Sequence, residues 1–457
     1  MNASPFTLLI VESTPIADFI RELDLPWLEV IGTEGYCWQP RFDPKINKLK
    51  ARAHPDKAHI RKLIKEKSAW AVRIVIATDP DPSGDFIAWA LARFLDKKKI
   101  LRTSIHDLGP SSIKERLDAA WLQNAESLHF SLQNLYIIRY QWAKFFKGLQ
   151  MSDAGLAALF YSEQPFYSFT DASENKFHSE SAVKAITGDI IKLKPTLNQP
   201  PLRFTTPLST ADVLEYLVNQ KGWSYSRSQE LLNKLFMTPP KGFPCGLITY
   251  PRSDVRALYQ NTWETTELQW VRQGDIEKLK PPVCREILDD AVPHESIHPV
   301  HLADKPELQK GLLTSELQFV YASIYNLHMD AITSHSVPFS VYTPADDETN
   351  LIFPVNEPMA AGVKKIMASW TPADIGVRLA ELNVINASSF GSAMDRWLRD
   401  NWLIIQNGFV YPGPNLKALK SRALGFRGVL KTLNKLMPLE NLTPATLQSL
   451  FSSISDK

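Results

Sequence analysis

The chain has 457 residues, 44% of them hydrophobic, and a formal net charge of +2; this supports two to four domains with sizeable cores and excludes a disordered or fibrous protein. No uncharged apolar stretch is long enough for a transmembrane helix, and Met1-Asn-Ala-Ser-Pro has no basic segment before its strand-length apolar run, so the expectation is a cytoplasmic protein without membrane contact. The three cysteines, Cys37, Cys245 and Cys284, lie too far apart in sequence for a Cys-x-x-Cys zinc ribbon or a disulfide framework.

Phe6 to Val11 is an apolar run ending at Glu12-Ser13, which predicts a buried strand with a carboxylate at its C-terminal end. Ile16 to Leu23 has helical spacing. Between Lys45 and Lys67, Lys48, Lys50, Arg52 and six further cations meet only Asp56 and Glu66. Such a run is an ordinary solvated face or a surface for a nucleic-acid backbone. Lys57 to Lys67 again has helical spacing. Val72 to Thr78 predicts a second buried strand, which discharges Asp79, Asp81 and Asp85 before an apolar helix over Phe86 to Phe94. In an open parallel sheet that edge binds ligands. Converging carboxylates repel one another unless a divalent cation lies among them, and Mg²⁺ prefers such oxygens; a solvated turn with Asp85 at the helix N-terminus explains the same residues. The alternation of strands and helices up to residue 110 is that of a parallel α/β unit.

Ser111 to Leu159 has apolar helical spacing, with Ser111-Ser112 as the expected cap. Residues 165–200 are polar and Pro-bounded, as a hinge would be. Ser209 to Phe236 predicts two amphipathic helices, the first opened by Ser209 with Asp212 three residues on. There follows Ile248-Thr-Tyr250-Pro-Arg252-Ser-Asp254, a phenol two residues from a guanidinium. A tyrosine hydroxyl titrates near ~10, so attack by Tyr250 on phosphorus needs cationic stabilisation, which Arg252 could supply; a structural Tyr-Pro turn is the alternative. Helical spacing resumes at Leu312 and again from Thr371, broken by a hairpin-like passage from Trp402 to Tyr411. Gly408 to Leu439 holds no Asp or Glu but includes Lys417, Lys420 and Arg422, a second candidate DNA-binding run.

Glu12-Ser13, Asp79-x-Asp81 and Ile248 to Asp254 stand in the order and approximate spacing of type IA DNA topoisomerases, whose N-terminal metal-binding domain is the Toprim fold. Pro293-His294-Glu-Ser-Ile-His-Pro299 resembles that family's Ala-His-Glu-Ala-Ile-Arg-Pro block, Arg203 to Thr210 the segment before its tyrosine domain, and Pro372 to Gly376 with Phe390 to Ala393 its last core segment. The resemblance implies a multidomain α/β plus α fold: an N-terminal Toprim parallel sheet (1–110), a helical core part (111–164), a hinge or arch (165–205), a tyrosine-bearing domain (206–334), the arch return (335–360) and a helical C-terminal part with a basic tail (361–457), assembled as a toroidal core. It implies an ATP-independent, Mg²⁺-assisted isomerase, expected to be monomeric, acting on DNA single-stranded at the cleavage point. Tyr250 would be the nucleophile, Arg252 the phosphoryl-stabilising cation, Glu12 a general acid/base, His294 a phosphate-contacting or site-orienting group, and Asp79, Asp81 and Asp85 the metal ligands.

The departures are specific. The family's Asp-x-Asp-Arg-Glu-Gly-Glu is here Asp79-Pro-Asp81-Pro82-Ser83-Gly84-Asp85, its lysine four residues after the first Glu is Ile16, and its Ser-Ala-Gly-Arg-Val-Gln-Ser stretch is missing beyond Met151-Ser-Asp-Ala-Gly155. They leave two other classes open: an accessory DNA-binding protein that kept the architecture, and a Toprim nuclease or primase-like enzyme, in which the tyrosine block would have no role.

Overall fold

A computed structural model of the chain describes residues 5–46, 48–79, 81–95, 100–122, 129, 132–140, 149–162, 168–170, 176–178, 190–191, 193–196, 207–273, 284–285, 294–333, 340–344, 351–353, 363–366, 370–382, 384–406 and 408–421. Arg422, the rest of the C-terminal basic run, Arg203 to Thr206 and Pro293 lie outside them. Among the described residues no helix is long and apolar enough to cross a membrane.

The N-terminal part is a five-stranded sheet. Strands β1 (Thr7–Val11), β2 (Leu28–Gly32), β5 (Arg73–Ala77), β6 (Ile100–Arg102) and β7 (Trp121–Leu122) lie in the order β2-β1-β5-β6-β7. The first three pairings are parallel and the last antiparallel. Side chains alternate across a strand, and here both faces are covered. Leu9, Val11, Val75 and Ala77 enter one core, while Leu8, Ile10, Ile74 and Ile76 enter the other with Phe86, Trp89, Ile60 and Ile64. Helices α2 (Ala58–Trp70) and α3 (Pro82–Ala92) supply that second face. Helices α1 (Thr14–Glu22) and α4 (Pro110–Asp118) supply the first. The cap of α4 is Gly109, with Pro110 in the first turn. Proline fits that position because its missing N–H would have no partner there, so Ser111 and Ser112 fall inside the helix instead of capping it.

The hairpin of β3 (Trp38–Asp43) and β4 (Lys48–Ala53) projects between β2 and α2. After the sheet come α5 (132–140) and α6 (Met151–Ser162). Strands β8 (Ser168–Thr170), β9 (Lys176–His178), β10 (Ile190–Ile191) and β11 (Leu193–Thr196) pair with β14 (Ser340–Pro344), β15 (Leu351–Phe353) and β16 (Val363–Ile366) in two small sheets, β10-β16-β8-β9 and β11-β14-β15.

Helices α7 (Thr210–Lys221) and α8 (Tyr225–Met237) follow the spacing read from the sequence. Ser209 and Asp212 form a full capping box, and Gly222 ends α7 in the left-handed conformation at φ 66°. With α6, α10 (Ser315–Thr333), α11 (Pro372–Glu381) and α12 (Ala387–Arg399), they bury Leu214, Leu232, Ile324, Ile375 and Trp397 in the same core as Leu9 and Val11. One apolar core thus runs from the sheet into the helical part and fixes the sheet edge against it.

Candidate active site

β1 and β5 are adjacent and parallel, Val11 opposite Ala77, so Glu12 and Asp79 leave the sheet side by side at its C-terminal edge. The turn into α3 is built by its own polar groups. Asp81 caps the helix, accepting from Ser83 N at 2.8 Å and Gly84 N at 2.7 Å, and the Thr78 hydroxyl donates to the Gly84 carbonyl at 2.8 Å. A Cβ on Gly84 would lie 2.0 Å from the Asp79 carbonyl oxygen, so the turn requires glycine.

The tyrosine segment is held from three sides. Thr249 exchanges hydrogen bonds with His298, N to carbonyl at 2.9 Å and from His298 N to the Thr249 hydroxyl at 3.1 Å. Ser253 does the same with Thr210 at the start of α7: Thr210 N donates to the Ser253 carbonyl and Ser253 N to the Thr210 hydroxyl, both at 2.8 Å. From the sheet side, the His106 carbonyl accepts Tyr250 N at 2.6 Å. The tyrosine ring meets Phe236 edge-on at 5.2 Å and lies 4.4 Å from the His294 ring. Its hydroxyl donates to Asp79 Oδ2 at 2.7 Å, and Arg252 Nη1 reaches the same oxygen at 3.2 Å.

The electrostatics follow from crowding acids in a dry cleft. Burial, then the charges of Asp79 and Asp81, push Glu12 up to about 8, against Arg252. One of its oxygens, Oε2, is buried without a hydrogen-bond partner. Burial and then Asp79 lift Asp81 above the usual carboxylate range, and burial and then Asp81 lift Asp254 to about 7. Burial, reinforced by Asp79, holds the Tyr250 phenol well above its ordinary value. His294 is held at about 3, chiefly by burial, so its ring is neutral; its Nε2 is buried without a partner. Glu12, Asp79, Tyr250 and His294 line one cavity, and Asp79, Asp81, Arg252, Asp254 and Asn386 line an adjoining one.

The structure therefore gathers Glu12, Asp79, Asp81, Tyr250, Arg252 and His294 at one place. Asp85 is turned away. It sits one helical turn beyond the Asp81 cap and pairs with buried Arg102 at 2.8 Å, so its charge is spent on β6. Ser83, at the position of a family carboxylate, donates to the Tyr36 hydroxyl at 2.7 Å. No three His, Cys, Asp or Glu groups among the described residues are close enough to hold a metal ion. The donors that remain suit a cation which takes one or two carboxylates and completes its shell with phosphate oxygens and water, as Mg²⁺ does. Glu12, with its unpartnered oxygen, Asp79 and Asp81 are the residues that would hold it.

Three contributors were not singled out from sequence as parts of the site: His106; Asn386, which donates to Asp81 Oδ2 at 3.0 Å; and Asp254 as the acceptor for Ala387 N at the start of α12 rather than a cap of its own segment. On the β3–β4 hairpin the register puts Arg41 opposite Lys50, Gln39 opposite Arg52 and Asp43 opposite Lys48, so Arg41, Lys48, Lys50 and Arg52 share the face away from buried Trp38 and Leu49. Lys50 is paired with Asp43 at 3.6 Å; Lys48 and Arg52 are exposed, with no ion pair among the described residues. Lys417 and Lys420 are exposed after β18 (Phe409–Pro412).

No protein-family model matches the chain. It is 23% identical over 371 residues to DNA topoisomerase 1 of Mycoplasma pneumoniae, covering 63% of this chain and 51% of that protein. To DNA topoisomerase 1 of Mycoplasma genitalium it is 22% identical over 386 residues, covering 66% and 53%. A shorter match, 26% over 138 residues, joins 29% of this chain to 11% of DNA topoisomerase 1 of Zymomonas mobilis. The chain spans about half the length of the two Mycoplasma relatives. Full-length topoisomerase I of Thermotoga maritima superposes with a TM-score of 0.61 at 15% identity, over 98% of this chain and 90% of that one. With that fold and those relatives, the chain is a divergent representative of the type IA topoisomerases.

Proposed function

We propose that the protein cuts and reseals one DNA strand by transesterification at Tyr250. The observation that carries this is the meeting of Tyr250, Arg252, Asp79 and Glu12 in one cleft, from segments up to 240 residues apart in sequence. The Tyr250 oxygen attacks a backbone phosphorus, the P–O bond to the 3′-oxygen breaks, and the 5′ end is left on the tyrosine. Asp79, already bonded to the phenol, is placed to take its proton, and Arg252 to balance charge on the phosphoryl oxygens. Glu12, protonated at neutral pH, is placed to give a proton to the departing 3′-oxygen. The reverse attack reseals the strand after another strand has passed, with no need for ATP because the phosphotyrosine bond retains the energy. Mg²⁺, when bound at Glu12, Asp79 and Asp81, would supply positive charge that draws the 3′-hydroxyl into line. The exposed cations of the β3–β4 hairpin, and Lys417 and Lys420, are candidates for backbone contacts with DNA.

The test is covalent trapping on labelled single-stranded DNA under denaturing conditions. Wild-type protein is expected to give an adduct and Tyr250→Phe none, while the substitution, which loses one hydrogen bond, lowers stability by no more than about 1–2 kcal/mol. An adduct that survives in Tyr250→Phe overturns the assignment; no adduct in either protein favours an accessory DNA-binding role.

A further inference from the structure

His106 belongs to none of the sequence motifs, yet it touches both the nucleophile's backbone and the ring beside it. It lies between β6 and α4 and is 4% exposed. Its carbonyl accepts Tyr250 N, and its Nδ1 stands 3.2 Å from Nδ1 of His294. The two imidazoles meet edge to face, at 87°. Two neutral imidazole nitrogens at that distance share one proton: one ring donates and the other must accept.

The surroundings decide which. Both rings are kept neutral, first by burial. The far nitrogen of His294, Nε2, is buried and unpartnered, on a ring that lines the cavity with Glu12, Asp79 and Tyr250. Asp81 is the carboxylate whose charge acts most strongly on that ring. Carboxylates and phosphodiester oxygens are acceptors. A bare lone pair on Nε2 would face only repulsion there, whereas an N–H would find partners. On the other side the Arg116 charge acts on His106 and favours a lone pair on that ring's other nitrogen. Both pressures put the shared proton on His106.

We infer that His106 is a positioning residue: by donating Nδ1–H to His294 it fixes His294 as the Nε2–H tautomer, so that a neutral histidine presents a hydrogen-bond donor to the DNA phosphodiester. The inference rests on the strand-transfer reading for its purpose, but its central statement, the tautomer, does not need turnover to be measured.

The experiment is nitrogen NMR of full-length protein labelled with ¹⁵N-histidine, the His294 signals being assigned by their loss in His294→Gln. Wild type is expected to show a protonated Nε2 and an unprotonated Nδ1 at His294. In His106→Leu both nitrogens should move to the averaged positions of exchanging tautomers. His106→Asn, whose amide can reach the same acceptor, should restore the wild-type pattern. The rate of adduct formation should fall roughly tenfold in His106→Leu, equivalent to one modest hydrogen bond in the transition state, and recover in His106→Asn with DNA affinity unchanged throughout. A wild-type spectrum with the proton on His294 Nδ1 overturns the inference without any variant, and so does an unmoved tautomer in His106→Leu. If the tautomer behaves as expected but Tyr250 forms no adduct, it is the function that fails and not the dyad.

Discussion

Burial makes Glu12 an acid rather than a base, and this can be measured. Its folded value of about 8 lies above the ordinary glutamate range. The folded protein therefore holds a proton that the unfolded chain gives up between about pH 4.5 and 8. The stability tied to that proton is fully present below the unfolded value and is lost as pH rises through the folded one. Glu12→Gln, a permanent copy of the protonated form, should match wild type in urea midpoint at pH 5 and exceed it at pH 8.5 in metal-free buffer, by on the order of 1–2 kcal/mol for so partly enclosed a group. Its adduct formation should fall by roughly 10²–10⁴ for want of a proton donor. Parallel stability curves for the two proteins would show that the carboxyl is ionised in the fold. Tyr250, Arg252 and Glu12 were legible in sequence because each stands in a short local motif. His106 and Asn386 were not: their partners are 188 and 305 residues away, and no local spacing encodes such a meeting. Asp85 misled for the opposite reason. Proximity along the chain to Asp79 and Asp81 does not say which way a side chain one turn into a helix will face.

At the scale of elements, the strand-to-helix turn after β5 carries the site, and it tolerates no added atom at Gly84. Gly84→Ala forces a methyl group against the Asp79 carbonyl backbone, which cannot swing aside as a flexible side chain would. The expected cost is about 3 kcal/mol or more in denaturant unfolding, or, if the turn yields, displacement of Asp79 from Tyr250 and loss of adduct formation. A variant with wild-type stability and activity would show that the turn is looser than this geometry. Most elements were legible. Apolar runs gave β1 and β5, and helical spacing gave α2, α7, α8 and the hairpin of β17 (Leu403–Gln406) and β18. Boundaries were less so: the sequence reading began the helix after Asp85 at Phe86, whereas Pro82 opens it, because a proline and a capping aspartate start a helix before its apolar positions begin.

Across the whole molecule the +2 charge hides an uneven distribution. Of the hairpin's cations, Lys50 already has Asp43, while Lys48 and Arg52 are exposed. If that face follows a DNA backbone, Lys48→Gln with Arg52→Gln should flatten the dependence of log affinity on log salt by about 2, one for each lost phosphate contact, and Lys50→Gln should do less. Fluorescence anisotropy with a labelled single strand across a salt series reads this directly; an unchanged slope assigns the run to an ordinary solvated face.

The hydrogen bond from Tyr250 to Asp79 ties the two halves of the site together while it occupies the attacking group. In the free protein the reactive oxygen is thus its own safety catch: protonated, enclosed and spent on an internal acceptor, it is shielded from stray electrophiles. Only a ligand that competes for Arg252 and Asp79 can release it, and a phosphodiester strand does so at the moment it arrives. Arming and loading become one event, so a protein whose chemistry breaks chromosomes would carry no exposed blade between substrates.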